Sequence, residues 1–310
     1  MPRGRPSKII CQLPKPYSPS YIEEGEWISI SRKMNGVHAI FKDGNLYTRE
    51  RRIIPGCEHL LEDCWKLNEA MGGTNSNPYI IEGELLIKGE ESDFEDEFDR
   101  FTQTCSLVGN LDPDKSALEM HIFDAVSYDE YTNIPDMETS SYSLRREPLV
   151  DAYEAIANEI ENLKLIPHLY EGYDQTKIEE WFQYSKAQGW EGIVINRDLP
   201  YLRSKNNNVL KYKHKHTVDL EIIDFKPGTG RYKGSLGAIM VEYKGNMVAV
   251  GSGMDIPTRE WIWTHRPELL GRVVEVQYQC VTKSKAGTES LQFPSFVCLR
   301  AEGKEVNEGD

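Results

Sequence analysis

Ser31-Arg32-Lys33-Met34-Asn35-Gly36 ends one candidate strand and leads into another, and its meaning comes from the motifs downstream of it. Reading outward, the chain continues with Glu82-Gly83-Glu84, Phe123-Asp124, Glu191-Gly192-Ile193-Val194 and Lys211-Tyr212-Lys213. Lys-x-Asn-Gly alone is an ordinary turn. Joined in this order to acidic and basic motifs, several of them on or beside apolar runs with strand character, it marks a candidate chemical site.

Those runs set the architecture. Candidate strands are Trp27–Ser31, Val37–Phe41, Leu46–Thr48, Tyr79–Ile87, Met120–Val126 and Gly192–Ile195, with an Asp43-Gly44 turn joining the second to the third. Helical periodicity links Leu60, Leu61, Cys64, Trp65 and Met71, and again Val150, Tyr153, Ile156, Ile160 and Leu163. A third helix is predicted to open at Thr176, where Thr176 and Glu179 have capping-box spacing, and to close at Gly189. Beyond His216 come five short strands, Val218–Phe225, Leu236–Tyr243, Met247–Ser252, Val273–Tyr278 and Phe296–Arg300. Five strands in this length suit a small closed barrel such as an OB-fold, a common platform for nucleic acid. The expected domains are therefore 1–217 and 218–310.

No apolar run approaches the length of a membrane helix, and the first residues lack the apolar stretch of a secretory signal. The six cysteines form no C-x-x-C pair, so reduced thiols in a cytoplasmic setting are expected. A net charge of -14 argues at first against a polyanionic partner, but the charge is uneven. Residues 90–99 carry seven acids and no base, whereas 197–216 carry six Lys and Arg against Asp198. The acidic run reads as a solvated loop facing away from the substrate. The basic run reads as part of the site, the alternative being a solvated surface.

The motif pattern suits attack of a lysine on phosphorus. An ordinary lysine, with a pKa of about 10.4, pays roughly 4–5 kcal/mol to be neutral at pH 7. Nearby cations and partial burial would reduce that penalty at Lys33. Lys211 and Lys213, on one face of a strand by their spacing, would supply the positive charge while holding an α-phosphate; the alternative is a lysine-protected strand edge. Glu84 and Glu191 sit in apolar surroundings and need partners or a metal there. Phe123 is either core or a stacking platform for a purine.

This ordered set resembles the covalent nucleotidyltransferases, the superfamily of DNA ligases, RNA ligases and mRNA capping enzymes. It is most similar to the compact, phage-type ATP-dependent DNA ligases, over about Trp27 to Lys304. The resemblance implies an α+β fold, with a nucleotidyltransferase domain of antiparallel sheets and flanking helices followed by an OB-fold β-barrel. It implies Lys33 as the residue that carries AMP, Ser31 near the adenine amine, and Arg49 on the ribose or the nick phosphate. Glu84 becomes a ribose or metal ligand, Phe123 the adenine-stacking ring, Glu191 a metal-associated carboxylate, and Lys211 and Lys213 the phosphate pair. Gly234-Ser235-Leu236-Gly237 and Val250-Gly251-Ser252-Gly253 resemble the ligase OB-domain. Phe293 to Arg300 resembles its last motif, which makes Arg300 and Lys304 the residues addressing pyrophosphate. Asn35 stands in place of the usual Asp, and His38 in place of an Arg that contacts the nucleotide, so a permanently charged fork is lost. The implied function is sealing of 5′-phosphate/3′-hydroxyl nicks in duplex DNA by a monomer using ATP and Mg²⁺. The alternative within the superfamily is an RNA ligase or mRNA guanylyltransferase. From another class, a catalytically inert OB-type nucleic-acid-binding protein is disfavoured by the intact Lys33, Glu84, Glu191, Lys211 and Lys213. The N-terminal Arg3-Gly4-Arg5-Pro6 matches the core of an A·T minor-groove hook, the alternative being a disordered basic tail.

Overall fold

The computed structural model describes residues 11–110, 114–133, 139–283 and 287–309; the Arg3-Arg5 tail lies outside them. Two compact units divide the chain, one ending at Lys213 and the other starting at His214.

The first unit runs β1 (Leu13–Pro16), β2 (Ile28–Arg32), β3 (Val37–Lys42), β4 (Asn45–Thr48), α1 (Glu58–Ala70), β5 (Tyr79–Ile87), α2 (Glu97–Gly109) and β6 (Leu118–Ser127). It continues with α3 (Tyr128–Asn133), α4 (Tyr142–Ile156), β7 (Leu163–Leu165), β8 (His168–Gly172), α5 (Thr176–Ala187), β9 (Gly192–Arg197) and β10 (Lys205–Lys213). Two five-stranded sheets result, ordered β1-β10-β9-β2-β8 and β4-β3-β5-β6-β7. Pairing is antiparallel except at one edge of each sheet, where β1 with β10 and β6 with β7 run parallel.

Alternation along the strands decides which residues face the chemistry. Ile28 and Ile30 of β2, Ile193 and Ile195 of β9 and Leu210 of β10 pack with Ile178 of α5. Each such side chain removed from water contributes about 1.5–3 kcal/mol. Ser31, Lys211 and Lys213, of opposite parity, therefore look away from that core. The other sheet buries Phe41, Ile81, Leu85 and Met120 with Leu60 and Leu67 of α1 and Leu149 of α4. Asp43 and Gly44 take φ values of 49° and 71°, the left-handed pair a tight hairpin requires, and so join β3 to β4.

Three sequence expectations need correction. The periodicity through Ile160 and Leu163 outruns its helix: α4 stops at Ile156, and Leu163 opens β7. Thr176 begins α5 but does not cap it; its N–H and hydroxyl both donate to Asp174, at 3.0 and 2.6 Å, so no capping box forms. The acidic run is not a free loop. Its end forms the first turn of α2, where Asp96 accepts from the Asp99 N–H at 2.7 Å. Acids at a helix N-terminus are held by the unpaired N–H groups and the helix dipole.

The second unit comprises β11 (His216–Pro227), β12 (Leu236–Tyr243), β13 (Asn246–Val250), α6 (Ile256–Leu269), β14 (Val273–Tyr278), β15 (Val281–Lys283), β16 (Glu289–Leu291) and β17 (Ser295–Leu299). Its main sheet is ordered β13-β12-β11-β14-β17. The start of β11 pairs with β14 and its end with β12, across a bulge between Ile222 and Asp224. That bulge bends the sheet around a core of Val218, Leu220, Ile222, Val241, Val250 and Val274, with Ile262 of α6 packed against it. Among the described residues the two edges meet at one isolated bridge, Ser252 to Ser295, so the seam of this OB-like sheet is there a point contact and not a full ladder.

Candidate active site

The first motif sits at a strand end that β9 holds in register. Ser31 of β2 and Lys211 of β10 both face Val194, while Lys213 faces Gly192. The Lys33 N–H donates to the Gly192 carbonyl at 3.0 Å, placing Lys33 and Lys213 on either side of one glycine. Gly192 has no substitute: at φ 150° an added Cβ would lie 2.0 Å from the Tyr212 carbonyl oxygen. Gly192→Ala should therefore destabilise the first unit by about 1–3 kcal/mol or more, measurable in denaturant melts. Gly36 is fixed in the same way, since its Cβ would fall 2.3 Å from the Leu85 carbonyl oxygen.

Glu191, just ahead of Gly192, is the electrostatic centre. One carboxylate oxygen accepts from Lys33 Nζ at 2.7 Å, and the other pairs with Lys213. Burial opposes its ionisation, but Lys33 and Lys213 outweigh it and hold the acid below the usual carboxylate range. The reciprocal effect corrects an expectation. Burial alone would lower Lys33, yet the charges of Glu191 and Glu84 and the Glu191 hydrogen bond raise it. As it stands, Lys33 is a clamped ammonium. The lysine that is pushed down, to about 8, is Lys211, through burial and the neighbouring charges of Lys213 and Lys33.

Across on β5, Glu84 accepts from the Gly36 N–H at 3.1 Å. Burial lifts its carboxyl above the ordinary value despite Lys33 and His38 nearby. His38 Nε2 donates to Glu82 at 2.9 Å, and Tyr201 donates to the same carboxylate. Burial works against the imidazolium, but the Glu82 bond and charge raise its pKa above the ordinary histidine value, at the position where an arginine was expected. The Phe123 ring stands edge-on to His38, with centroids 5.2 Å apart. Next to it, Asp124 takes two hydrogen bonds from Arg145 of α4, at 3.0 and 2.8 Å, which fixes the end of the motif.

Ser31, Lys33, Glu191, Lys211 and Lys213 thus gather at the β2, β9 and β10 strands of one sheet and His38, Glu84 and Phe123 on β3, β5 and β6 of the other, linked where Glu84 accepts from Gly36 and acts on the charge of Lys33. Arg49 is tied to its neighbour Glu50 at 2.6 Å and is 61% exposed, so it makes no direct bond to the lysine cluster. Arg197, counted in the basic run, is nearly buried in a two-point pair with Glu26 and is structural. In the second unit, Arg300 bonds Asp219 at 2.6 Å and Glu275 at 3.2 Å, and Lys304 lies 3.3 Å from Asp219.

Sequence reading missed Glu97 and Arg32. Arg32 lies over the Trp190 ring at 4.7 Å and donates to Glu97 at 3.1 Å, with Glu91 on its other side. Burial pushes Glu97 up to about 7, against the pull of Arg32. The acidic run therefore reaches the site. Its signal in the sequence was Asp96 three residues before Asp99, a helix start written in charges.

A divalent cation suits this donor set. Glu84 and Glu191 are hard oxygen donors of the kind Mg²⁺ takes, and the raised Glu84 is a buried acid short of positive charge. Among the described residues no helix is long and apolar enough to cross a membrane.

Comparison with known proteins agrees with the geometry. Residues 15–213 match the family model of the ATP dependent DNA ligase domain, and residues 227–300 that of the DNA ligase OB-like domain. A DNA ligase of Haemophilus influenzae is 24% identical over 260 residues, covering 83% of this chain and 82% of that protein. The solved structure named Pmar-Lig_Pre is 23% identical with a TM-score of 0.77, covering 94% of this chain and 67% of that one. A Lig E DNA ligase structure is 21% identical with a TM-score of 0.70, over 94% and 98% of the two chains. With both of its units matched and the lysine, glutamate and lysine-pair motifs brought together in the first, the chain belongs to the ATP-dependent DNA ligase family.

Proposed function

We propose that this ligase seals nicks in duplex DNA, with Lys33 as the nucleophile. The observation that carries the reading is the 2.7 Å bond between Lys33 Nζ and a Glu191 carboxylate whose other oxygen holds Lys213. Lys33 Nζ, once deprotonated, attacks the α-phosphorus of ATP; a P–N bond forms, the bond to the bridging oxygen breaks, and pyrophosphate leaves. The 5′-phosphate of the nick then attacks the same phosphorus and frees Lys33. Finally the 3′-hydroxyl attacks the activated 5′-phosphate and AMP departs.

Each residue has a physical task. Glu191 aims the Lys33 amine, and approach of phosphate oxygens to Lys211 and Lys213 draws Lys213 away from Glu191. Because a freed Glu191 grips the ammonium of Lys33 harder, neutral Lys33 is favoured only where cations, those of Lys211 and Lys213 or a metal, stay close enough to offset that carboxylate. Ser31 and Phe123 would line the adenine, with His38 and Arg49 toward the nucleotide's polar end. Arg300 and Lys304 would address pyrophosphate. Mg²⁺, where bound, would be held by Glu84 and Glu191 and would offset charge on the phosphate oxygens.

The test is incubation with α-labelled ATP and Mg²⁺, and then with nicked DNA or nicked RNA; the reading expects labelled protein and sealed DNA. Binding to nicked DNA should weaken steeply with salt despite the acidic total charge, through exposed cations such as Arg52, Lys205 and Lys215. Each phosphate contact contributes a log–log slope of about -0.9. A salt-independent affinity contradicts it. Arg300→Ala should slow formation of the adduct by roughly 10²-fold while sealing of a pre-adenylated nick changes much less. Equal losses in both single-turnover rates would mean that Arg300 serves the fold through Asp219 and Glu275.

A further inference from the structure

We infer that Glu97 is a positioning residue for the transfer of AMP to Lys33: it fixes the peptide before Lys33 against the peptide that carries Glu191. The inference rests on Lys33 being the nucleophile, and it extends that reading to a helix that none of the motifs includes.

Glu97 opens α2 and is only 15% exposed. Its carboxylate accepts from Arg32 at 3.1 Å and also takes a hydrogen bond from the backbone of Glu191. Arg32 is the residue immediately before Lys33, and its guanidinium is pressed on the face of Trp190, the residue immediately before Glu191. Two side-chain bridges therefore join the same two peptide segments, one through Trp190 and one through Glu97. The backbone bond from Lys33 to Gly192 and the ion pair from Lys33 Nζ to Glu191 complete a closed ring. Lys33 Nζ sits at the end of four rotatable bonds, so its location relative to an α-phosphate depends on how firmly its backbone is held. Arg32 supplies a planar fork suited to a two-sided grip, and burial strengthens the bond to Glu97. A ring of this kind stabilises no charge in the reaction. It narrows the range of positions from which the amine attacks, and misplacement by about 1 Å costs on the order of 10²-fold in rate.

The experiment uses the full chain and measures single-turnover formation of the Lys33 adduct across ATP concentrations, sealing of a pre-adenylated nick, and melting temperature. Glu97→Ala should lower the limiting rate of adduct formation by roughly 10- to 100-fold while ATP half-saturation stays within about twofold. Sealing of the pre-adenylated nick should change far less. Glu97→Gln keeps one acceptor of two and should recover part of the rate. Arg32→Ala should reproduce the loss, and the double variant should lose no more than either single variant, because both cut the same ring. An unchanged limiting rate per folded molecule, or additive losses in the double variant, overturns the inference. A drop in melting temperature without a drop in that rate does so as well. Lys33→Ala, run alongside, separates the two levels: if it still forms an adduct, the nucleophile assignment itself has failed, whatever Glu97 does.

Discussion

Lys33→Ala will abolish the covalent AMP adduct and all sealing that starts from ATP, while the first unit keeps its fold. The side chain makes two hydrogen bonds, to Glu191 at 2.7 Å and to the Met34 carbonyl at 3.3 Å, and fills no apolar core. Its removal leaves Glu191 with Lys213, so no buried carboxylate is stranded. Lys33→Arg will be as inactive, because a guanidinium keeps its proton near neutral pH and cannot attack. The expected loss exceeds 10⁴-fold, on the order of a deleted nucleophile. Sealing of a pre-adenylated nick, which does not need Lys33 as an acceptor, should survive in both variants. An adduct of undiminished yield on Lys33→Ala would falsify the assignment.

Glu191→Ala sets two effects of opposite sign against each other. Removing the carboxylate removes the main charge that keeps Lys33 protonated, so burial and the nearby lysines should pull its pKa down and enlarge the neutral fraction. The same change removes the hydrogen bond that aims Nζ and one of the two carboxylates proposed for Mg²⁺. The first effect acts only below the Lys33 pKa, where the amine must first lose its proton. The second costs roughly 10²-fold or more, the scale of losing one preorganised group. Above the Lys33 pKa the first effect vanishes and only the second remains, so adduct formation there should fall on that scale, and the optimum of the remaining activity should move to lower pH. Glu191→Gln, which retains an acceptor but no charge, should show the same acid shift with a smaller loss. If the pH optimum stays in place in both variants, Glu191 does not govern the Lys33 proton.

Most of the strand framework was legible because each strand is half-buried, and alternation shows which half. Ile28, Ile30, Ile193 and Ile195 point one way, and their polar neighbours point the other. Helix α2 was missed although Phe98, Phe101, Cys105 and Val108 recur at helical spacing: the acids just before them read as a solvated loop, and the residues the helix buries fully are the polar Arg100 and Thr104. Arg100 is buried because it is satisfied, donating to the Ile87 carbonyl and to Glu119 at 2.9 Å. Helix α6 was also missed, although Asp255 as N-cap with Pro257 just inside the helix is a start signal; strands on both sides masked it. At the site, motif order pointed to the residues but not to the partners. Which acid meets Lys33 depends on β9 lying between β2 and β10, a long-range pairing that no local pattern encodes. Hence the sequence alone places the lowered pKa on the wrong lysine: Lys211 carries it, and Lys33 is raised.

That reversal makes one measurement the most direct test of the account. By acidity alone, Lys211, pushed down to about 8, is the better nucleophile; by geometry it is Lys33, the amine held by Glu191 at 2.7 Å. Incubating the wild-type protein with ATP and Mg²⁺, cleaving it under conditions that preserve phosphoramide bonds, and locating AMP by tandem mass spectrometry decides between them. The account predicts AMP on Lys33 and on no other lysine. AMP on Lys211 or Lys213, or no adduct in a preparation that seals nicked DNA with ATP, would contradict it.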